Sequence, residues 1–415
     1  MTEVPRSVEA VWRLERPALL AGLVRVVRDV ALAEDLAQDA LVSALQQWPE
    51  SGVPDKPGAW LMAVAKRRAV DLFRRNERLA RKQDELARAL EPSDEPDLGA
   101  AMDHDHIEDD LLRLVFIACH PVLSTDARVA LTLRLLGGLT TDEIARAFLV
   151  PEPTVAQRIV RAKRTLAARQ VAYEEPTAAE RARRLPDVLG VVYLIFNEGY
   201  SATSGDDWLR PALCEEALRL GRLLTGLAPD DAEVHGLVAL MEIQASRTRA
   251  RTGPHGEAVR LMDQNRARWD RLLIRRGLAA LERAEALDAP GPYTLQAAIA
   301  ACHARAANPE DTDWARIAAL YADLARVAPS PVVQLNRAVA VSRAVGPEAG
   351  LALVDGLVED PAMRTYHLLP SVRGDLLERL GRPAEARAEF ERAAALTRNE
   401  AERALLLARA AALPS

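Results

Sequence analysis

Two stretches of the chain carry cationic and amide side chains at helical spacing, which is the chemistry that contact with nucleic acid requires. The first is LTTDEIARAFLVPEPTVAQRIVRAKRTL, residues 139–166, whose pattern is that of a short helix, a turn at about 148–151 and a second helix. Thr141 is the expected N-cap of the first helix. Pro153 suits the first position of the second helix, where its missing N–H costs nothing. This arrangement predicts a helix-turn-helix.

The second helix of this motif has an apolar face and a polar face. Val155, Ile159 and Leu166 are expected to point inward. The outward side chains suit contact with base edges and phosphates in a major groove, and they are Thr154, Gln157, Arg158, Arg161, Lys163 and Arg164. A basic amphipathic helix is also compatible with a merely solvated surface, so the motif alone leaves that alternative open.

A second basic element lies upstream, in PGAWLMAVAKRRAVDLFRRNERLARK, residues 57–82. Its expected apolar stripe consists of Leu61, Val64, Ala65, Ala69, Leu72 and Phe73. The opposite face is densely cationic and contains only two acids, Asp71 and Glu77. Its cations are Lys66, Arg67, Arg68, Arg74, Arg75, Arg78, Arg81 and Lys82. Such a face attracts phosphates and releases counterions on binding. Two separated basic elements predict a protein that binds DNA through two separate surfaces.

A helix rich in carboxylates precedes this element, in AEDLAQDALVSALQQW at 33–48. Taken in order, EDLAQDAL, the AWL…AKRRAVDLFRR run and EIA…TV…R…RAK…L resemble the two conserved regions of the extracytoplasmic-function sigma factors. The resemblance covers about the first 170 residues, and the ordered set is far more specific than any single motif. Arg67 stands where many members of that family have Asn, a difference that is expected to affect a base contact rather than the fold.

The resemblance implies a promoter-recognition subunit of bacterial RNA polymerase. Asp35, Gln38 and Asp39 would dock on the β′ clamp of core polymerase, where their carboxylates and amide suit an arginine-bearing surface. The helix at 60–78 would engage the −10 element of promoter DNA through Trp60, Lys66, Arg67, Arg68, Arg74 and Arg75. The loop PESGVPDKPG before it would hold a base flipped out of the stack.

The same resemblance implies that the helix-turn-helix recognises the −35 element. Thr154, Gln157, Arg158 and Arg161 would contact it, with Lys163 and Arg164 beside them, while the region would also contact the β flap of polymerase. The chain lacks the aromatic row with which primary sigma factors melt DNA. It is therefore expected to open only strong, specific promoters.

Composition restricts the remaining possibilities. The 415 residues are 49% hydrophobic but only 4% aromatic, and Ala, Leu, Arg and Glu dominate, which predicts an all-α protein of several domains. A net charge of −6 argues against a chain that coats nucleic acid indiscriminately. The cysteines, Cys119, Cys214 and Cys302, are remote from one another and fit a reducing cytoplasm. No signal peptide and no membrane-spanning run are recognised, so a cytoplasmic protein without membrane contact is expected.

Four parts are predicted: a sigma region 2 helical domain at 1–79, a flexible acidic linker at 80–110, a region 4 helix-turn-helix domain at 111–170 and a helical extension at 171–415. From Asp84 to Asp110 the linker holds eleven acids, two prolines and one glycine, so it should be extended and solvated. It is either a simple tether or, as the resemblance implies, a segment that threads through polymerase toward the RNA exit path.

The extension has repeat character near its end. In HLLPSVRGDLLERLGRPAEARAEFERAAALTRNE, Gly374, Ala386, Phe390 and Ala393 stand at the spacings of a tetratricopeptide repeat, whose small residues let paired helices approach closely. Degenerate copies precede it, with Tyr321 and Pro329 in the corresponding places. Because one helical hairpin cannot bury its own apolar face, several are expected to stack as an α-solenoid that offers a surface to a protein partner.

Between the helix-turn-helix and the repeats lies LPDVLGVVYLIFNEGYSATSGDDWLRPALCEEALRLGRLL. Its LIFNEGYSAT run, with GPYTLQAAIAACHA further on, resembles a sigma-factor subgroup with a C-terminal tetratricopeptide-like extension. Core positions are expected at Tyr193, Ile195 and Phe196, and a helix end with a tight turn at 197–199. A catalytic alternative with Glu198, Asp206 and Asp207 lacks a nucleophile or phosphate loop.

Other candidate chemistry is weaker. His104, His106, Cys119 and His120 do not have a standard zinc spacing, and Cys119 is expected to be packed while His104 and His106 are solvated in the linker. His303 and His367 are expected to pack between helices. No phosphate loop, Ser–His–Asp order or paired catalytic carboxylates are found, so neither an enzyme nor a cofactor is expected.

Two alternatives from other classes remain. A conventional helix-turn-helix transcriptional regulator with a tetratricopeptide sensor explains the motif and the repeats but not residues 33–82. A helical interaction scaffold with incidental basic faces explains less still. The sequence therefore favours the sigma-factor interpretation.

Overall fold

The fold is built from α-helices. The computed structural model describes residues 3–84, 107–148, 150–169, 171, 177–200, 210–253, 259–287, 290–397 and 400–414. Eighteen α-helices and several single-turn 3-10 helices lie in these ranges, and the same ranges contain no β-strand. The prediction of an all-α protein is confirmed. Among the described helices, none combines the length and the apolarity needed to cross a bilayer.

The chain groups into two compact units, 1–191 and 192–415. The division falls inside helix α8 (Ala178–Tyr200), later than the predicted boundary after Gln170. The first half of α8 belongs to the first unit because its side chains contact other residues of that unit. The guanidinium of Arg184 donates to the carbonyl of Phe116 and lies 5.1 Å from the centroid of its ring. Asp187 pairs with Arg128 at 3.3 Å.

The helices of the first unit are α1 (Glu3–Val27), α2 (Val30–Ser51), α3 (Pro57–Asp84), α4 (Ile107–Ala118), α5 (Thr125–Leu135), α6 (Thr141–Phe148), α7 (Glu152–Ala168) and the first half of α8. The first three pack against one another, α4 packs on α1, and α5, α6 and α7 form a second bundle. The prediction of an extended linker at 80–110 is wrong at both ends. Helix α3 continues to Asp84 and α4 begins at Ile107, while the segment 85–106 lies outside the described residues.

Helix α3 buries its apolar stripe only over its first half. Leu61, Ala65 and Ala69 are buried at helical spacing. The prediction that Leu72 is buried is wrong, because its side chain is 37% exposed and no residue from Val70 to Arg74 is buried. Over residues 70–74 the helix is therefore not buried on any face.

The second unit contains the end of α8 and the helices α9 (Pro211–Leu227), α10 (Ala232–Ala245), α11 (Arg271–Leu287), α12 (Pro292–Arg305), α13 (Trp314–Val327), α14 (Pro331–Ala344), α15 (Pro347–Asp355), α16 (Leu368–Arg379), α17 (Pro383–Leu396) and α18 (Glu400–Ala412). From α9 onward, each helix packs on helices one or two positions away in sequence. This pattern of neighbour contacts is that of an α-solenoid, as predicted from the repeats.

The hairpin of α16 and α17 has the predicted small-residue contact. Ala386, Phe390 and Ala393 are fully buried. A Cβ atom added to Gly374 would lie 2.7 Å from the Phe390 ring, so only glycine allows this close approach. Gly381, with φ +69°, makes the turn between the two helices in a conformation that glycine adopts freely.

Candidate nucleic-acid interface

The helix-turn-helix is formed by α6 and α7. A reciprocal capping box starts α6: the amide of Glu143 donates to the Thr140 hydroxyl at 3.1 Å, and the amide of Thr140 donates to the Glu143 carboxylate at 2.7 Å. The N-cap is therefore Thr140, and the prediction of Thr141 is wrong by one residue. Gly138, with φ +69°, makes the preceding turn from α5.

The two helices meet through the apolar positions that the sequence predicts. Val155, Ile159 and Leu166 are buried on α7, together with Ala162. Ile144 of α6 is only 1% exposed. Since this apolar contact fixes the first helix against the second, it also fixes which face of α7 is turned away from the unit.

The outward face of α7 carries most of the predicted −35 residues. Gln157, Arg161 and Arg164 are exposed, and none of these arginines has an ion-pair partner among the described residues. Thr154 is half-buried. Arg158 is half-buried and pairs with Asp126 of α5 at 3.0 Å, so contact with DNA would have to compete with that pair.

Lys163 does not lie on this outward face, and the expectation that it points outward is wrong. It is half-buried and its ammonium pairs with Glu34 of α2, whose side chain is 9% exposed. The physical reason is helical spacing: Lys163 follows Ile159, which is buried, by four residues and directly follows the buried Ala162. It therefore lies at the edge of the packed face.

The predicted −10 residues on the basic helix α3 differ in exposure. Arg67 and Arg74 are exposed and have no ion-pair partner among the residues described. Lys66 is half-buried, and burial together with nearby Arg25 lowers its pKa. The side chain of Arg75 lies outside the described residues.

Trp60 and Arg68 of α3 are engaged within the unit. The Trp60 ring packs against that of Trp48, with 5.3 Å between centroids. The guanidinium of Arg68 pairs with Asp39 of α2 at 2.8 Å and donates to the Ser43 hydroxyl at 3.1 Å. These contacts orient α3 on α2. Arg68 would have to leave Asp39 in order to contact DNA.

The predicted polymerase-docking residues lie together on α2. Asp29 caps this helix by accepting from the amide of Leu32 at 2.9 Å. Asp35 and Gln38 are exposed, and Asp39 is about half exposed beside Arg68. Because Gln38 and Asp39 stand three and four residues after Asp35, the three side chains form one polar strip.

Sequence reasoning missed the buried charge cluster beside this strip. Glu34 receives Arg16 and Arg134 at its Oε1 atom, each at 3.1 Å, and Lys163 at its Oε2 atom. Burial and the charge of Arg134 lower the pKa of Arg16 to about 10. The sequence does contain a sign of this cluster, which is a charged residue on the apolar face of α2. Glu34 lies four residues after Val30 and three before Ala37, and both of these are buried.

Two of the other candidate residues, Cys119 and Glu198, are engaged by neighbouring side chains. Cys119 is buried against the Thr132 hydroxyl at 3.4 Å, and burial raises its pKa to about 11. Glu198 of the catalytic alternative is engaged with Arg210, while Asp206 and Asp207 lie outside the described residues, as do His104 and His106. No group of three potential metal ligands is found where side chains are described.

Comparison with known proteins matches the segments that contain most of α3 and α7 to established families. Residues 11–79 match Sigma-70 region 2, and residues 113–166 match Sigma-70, region 4. The probable ECF RNA polymerase sigma factor SigI of Mycobacterium tuberculosis is 28% identical over 183 residues, 42% of this chain and 59% of that protein. The ECF RNA polymerase sigma factor SigK of Mycobacterium sp. (strain KMS) is 29% identical over 158 residues, 36% of this chain and 76% of that protein.

The chain carries Sigma-70 regions 2 and 4 and is similar to extracytoplasmic-function sigma factors. Residues 184–285 of this sigma factor additionally match a family of unknown function, DUF6596. The uncharacterized protein R00370 of Rhizobium meliloti (strain 1021) is 46% identical over 392 residues, which cover 94% of the sigma factor and 92% of the relative. The whole architecture, including the helical extension, is therefore shared. No solved structure matches the chain.

Proposed function

We propose that this sigma factor holds promoter DNA with α3 at the −10 element and with α7 at the −35 element, while the polar strip of α2 docks on the β′ clamp of core RNA polymerase. The observation that carries the proposal is that a helix in each of the two matched segments carries exposed cations without an ion-pair partner among the described residues. Arg67 and Arg74 lie on α3, and Arg161 and Arg164 lie on α7.

The two surfaces would act differently. On α7, Gln157 and Arg161 stand side by side in the helix that enters the major groove, so they would contact base edges. On α3, Arg67 and Arg74 would contact phosphates, which position the protein without specifying sequence. Asp35 and Gln38 would meet cationic residues of the clamp, and region 4 would contact the β flap.

Transcription in vitro tests this function directly. Core polymerase, the full-length sigma factor and genomic promoter fragments should give run-off transcripts with specific start sites. Gel filtration should show the sigma factor eluting with core polymerase. If core polymerase never associates with the chain, the alternative of a conventional helix-turn-helix regulator with a tetratricopeptide sensor replaces the proposal.

We further propose that the second unit is a regulatory, partner-binding module. Its stacked hairpins form the kind of extended surface that solenoids use for protein contacts. The relative R00370 keeps this part at nearly full length, so the extension is a shared feature of the two chains. The sigma factor would act in the cytoplasm, where core polymerase works.

A further inference from the structure

Tyrosine side chains from distant parts of the second unit lie close together. The ring of Tyr193 on α8 packs edge-on against that of Tyr293 on α12, with 5.6 Å between centroids. Tyr193 also interacts electrostatically with Tyr200 and Tyr366, and Tyr321 of α13 does so with Tyr193. We call these five residues the tyrosine cluster. The chain has only six tyrosines, so their meeting in one place is a distinctive feature of the second unit.

The tyrosine cluster is densely surrounded and still open to solvent. Burial raises the pKa of Tyr193 and Tyr366, and it raises the pKa of Tyr321 to about 12. These three residues nevertheless keep part of their surface exposed, as does Tyr293. A side chain that has many neighbours and an open edge lines a recess. The cluster therefore offers aromatic rings and hydroxyls that a small molecule can reach.

Arginine side chains lie on one side of the tyrosine cluster. The guanidinium of Arg247, which follows α10, donates to the Tyr200 hydroxyl at 2.5 Å and lies 5.8 Å from the centroid of the Trp269 ring. Arg266 lies 5.2 Å from the centroid of the same tryptophan ring. Arg251 lies 3.8 Å from the centroid of the Tyr200 ring. Three cations thus surround two aromatic rings, with Arg247 in contact with both rings.

The positive charge of these arginines is only weakly compensated. Burial and the charge of Arg247 lower the pKa of both Arg251 and Arg266. Among the described residues, no carboxylate pairs with Arg247 or Arg266. Glu310 and Asp311 act on Arg266 from beyond ion-pair distance, and both are exposed. An anion that binds beside Arg247 would therefore relieve the repulsion between the guanidinium groups.

Buried nitrogen atoms without a hydrogen-bond partner within the protein lie in the same place. They are the Nε atoms of Arg247 and Arg266, the Nε1 atom of Trp269 and the Nδ1 atom of His303. Trp269, Arg266 and His303 are 3%, 6% and 9% exposed. The carbonyl of His303 accepts from Arg266 at 2.8 Å, which places this histidine beside the arginines. Because buried polar groups are costly when unpaired, these nitrogens favour a ligand that brings oxygen atoms.

We propose that the second unit binds a small organic anion here, with its carboxylate or phosphate at Arg247 and its body against the tyrosine cluster. A planar guanidinium suits both groups, because it donates in pairs to their oxygen atoms. Nitrogens this deeply buried are accessible only to a group of few atoms, which favours a small molecule over a protein partner. Arg247 and Trp269 lie within the segment that matches the DUF6596 family. The inference goes beyond the proposed function, since binding requires neither polymerase nor promoter DNA.

Saturation-transfer NMR on the full-length protein tests the site with defined probes. Phenyl phosphate and benzoate carry a ring and an oxyanion, whereas benzamide carries the ring without the charge. At least one of the two anions should bind with a dissociation constant of about 1 mM and roughly tenfold more tightly than benzamide. The anion that binds more tightly shows whether the site takes a phosphate or a carboxylate. Inorganic phosphate, an oxyanion without a ring, should displace a bound phenyl phosphate only weakly.

Variants of one short segment identify the residue that holds the anion. Arg247→Gln should weaken binding of the anion roughly tenfold, and Arg247→Lys, which keeps the charge, should restore part of it. Arg249→Gln is the matched control, because it removes an exposed arginine two residues further along and should leave binding unchanged. Tyr321→Leu, which removes a ring of the cluster, should weaken binding several-fold and serves if Arg247→Gln does not fold. Circular dichroism monitors the folding of each variant.

Three outcomes would overturn the proposal. Neither phenyl phosphate nor benzoate binds wild type at millimolar concentrations. Arg247→Gln and Arg249→Gln weaken binding equally, which would indicate attraction to the overall charge of the segment. A peptide of six glutamates binds at the same place while both small anions fail, which would make the surface a protein-contact surface.

Discussion

The guanidinium of Arg68 lies 2.8 Å from the carboxylate of Asp39. A residue of the proposed −10 surface and a residue of the proposed polymerase-docking strip thus neutralise each other within the free protein. Each must release the other to make a contact of its own, or the two must bind their partners as a pair. The effects of changing them are therefore expected to be coupled.

A double-mutant cycle measures this coupling. Asp39→Ala should weaken association with core polymerase, and in this background Arg68→Ala should cost less than in wild type, because the pair has already gone. Both side chains of the pair are about half exposed. The same cycle applied to the free energy of unfolding should therefore give a coupling energy of about 0.2–1 kcal/mol. Gln38→Ala, which removes a docking residue without touching Arg68, is the control. Strictly additive effects in both measurements would contradict the coupling.

Base contacts and phosphate contacts are expected to separate by helix. Arg161→Ala should weaken binding to the preferred −35 sequence by about 1–3 kcal/mol if the side chain makes a bidentate base contact. Arg74→Ala should weaken binding to all promoters and reduce the salt slope of binding by about one phosphate contact. Fluorescence anisotropy of the holoenzyme at several salt concentrations, on matched and scrambled −35 sequences, distinguishes the two. Identical profiles for both variants would reject the division.

Truncation tests whether the extension regulates. A fragment ending at Gln170 loses Arg184 and Asp187, which contact Phe116 and Arg128 in the first unit. It should therefore unfold at lower denaturant concentration than a fragment ending at Val191. The longer fragment should still bind core polymerase, yet its transcription should be altered, and we expect it to be silent. Full-length activity of that fragment under every growth condition would show that the extension has no regulatory role.

Two glycines in the second unit should respond to alanine in opposite ways. Gly374→Ala places a Cβ 2.7 Å from the Phe390 ring and should lower the free energy of unfolding by about 1–3 kcal/mol through overpacking. Gly226→Ala, near the end of α9, meets no atom within 4 Å and should raise it by about 0.4–1 kcal/mol by restricting the unfolded chain. Urea unfolding measures both. If Gly226→Ala also lowers the free energy of unfolding, the loss in Gly374→Ala cannot be assigned to the contact with the Phe390 ring.

His303 should make the second unit sensitive to acid. Burial, with Arg247 and Arg266 nearby, lowers its pKa from 6.5 to about 3. The unfolded chain therefore binds the proton more readily, so this stability is complete above pH 6.5 and declines as the pH falls toward 3. At pH 5 the loss is about 2 kcal/mol. His303→Leu should remove it, which unfolding at pH 7 and pH 5 measures. Equal pH slopes for variant and wild type would exclude this role.

The sequence predicts most of the fold because helical spacing reports burial. Val155, Ile159 and Leu166, and the small residues around Phe390, occupy their predicted places. Boundaries were less predictable, because Thr140 and Thr141 are both good caps and only the reciprocal bond to Glu143 selects the first. The division of the chain depends on tertiary contacts of Arg184 that no local pattern contains.

The candidate sites are predictable as faces but not residue by residue. Lys163 has the same local signal as Arg164, yet it pairs with Glu34, which lies more than a hundred positions earlier in the chain. Trp60 is a predicted −10 residue, and no local pattern predicts that its ring packs on that of Trp48. Such long-range pairing is invisible to periodicity, because it depends on which surfaces meet. The predicted roles of these residues at polymerase and DNA remain predictions.

The neighbour-by-neighbour packing from α9 to α18 bears on how this sigma factor changes over evolution. Since each hairpin is held mainly by the hairpins beside it, a duplication or deletion of one hairpin leaves the interior of the others intact. The extension can thus lengthen, shorten or change its outer side chains while the polymerase-binding helices stay the same. One promoter-recognition core could in this way be connected to many different cellular signals.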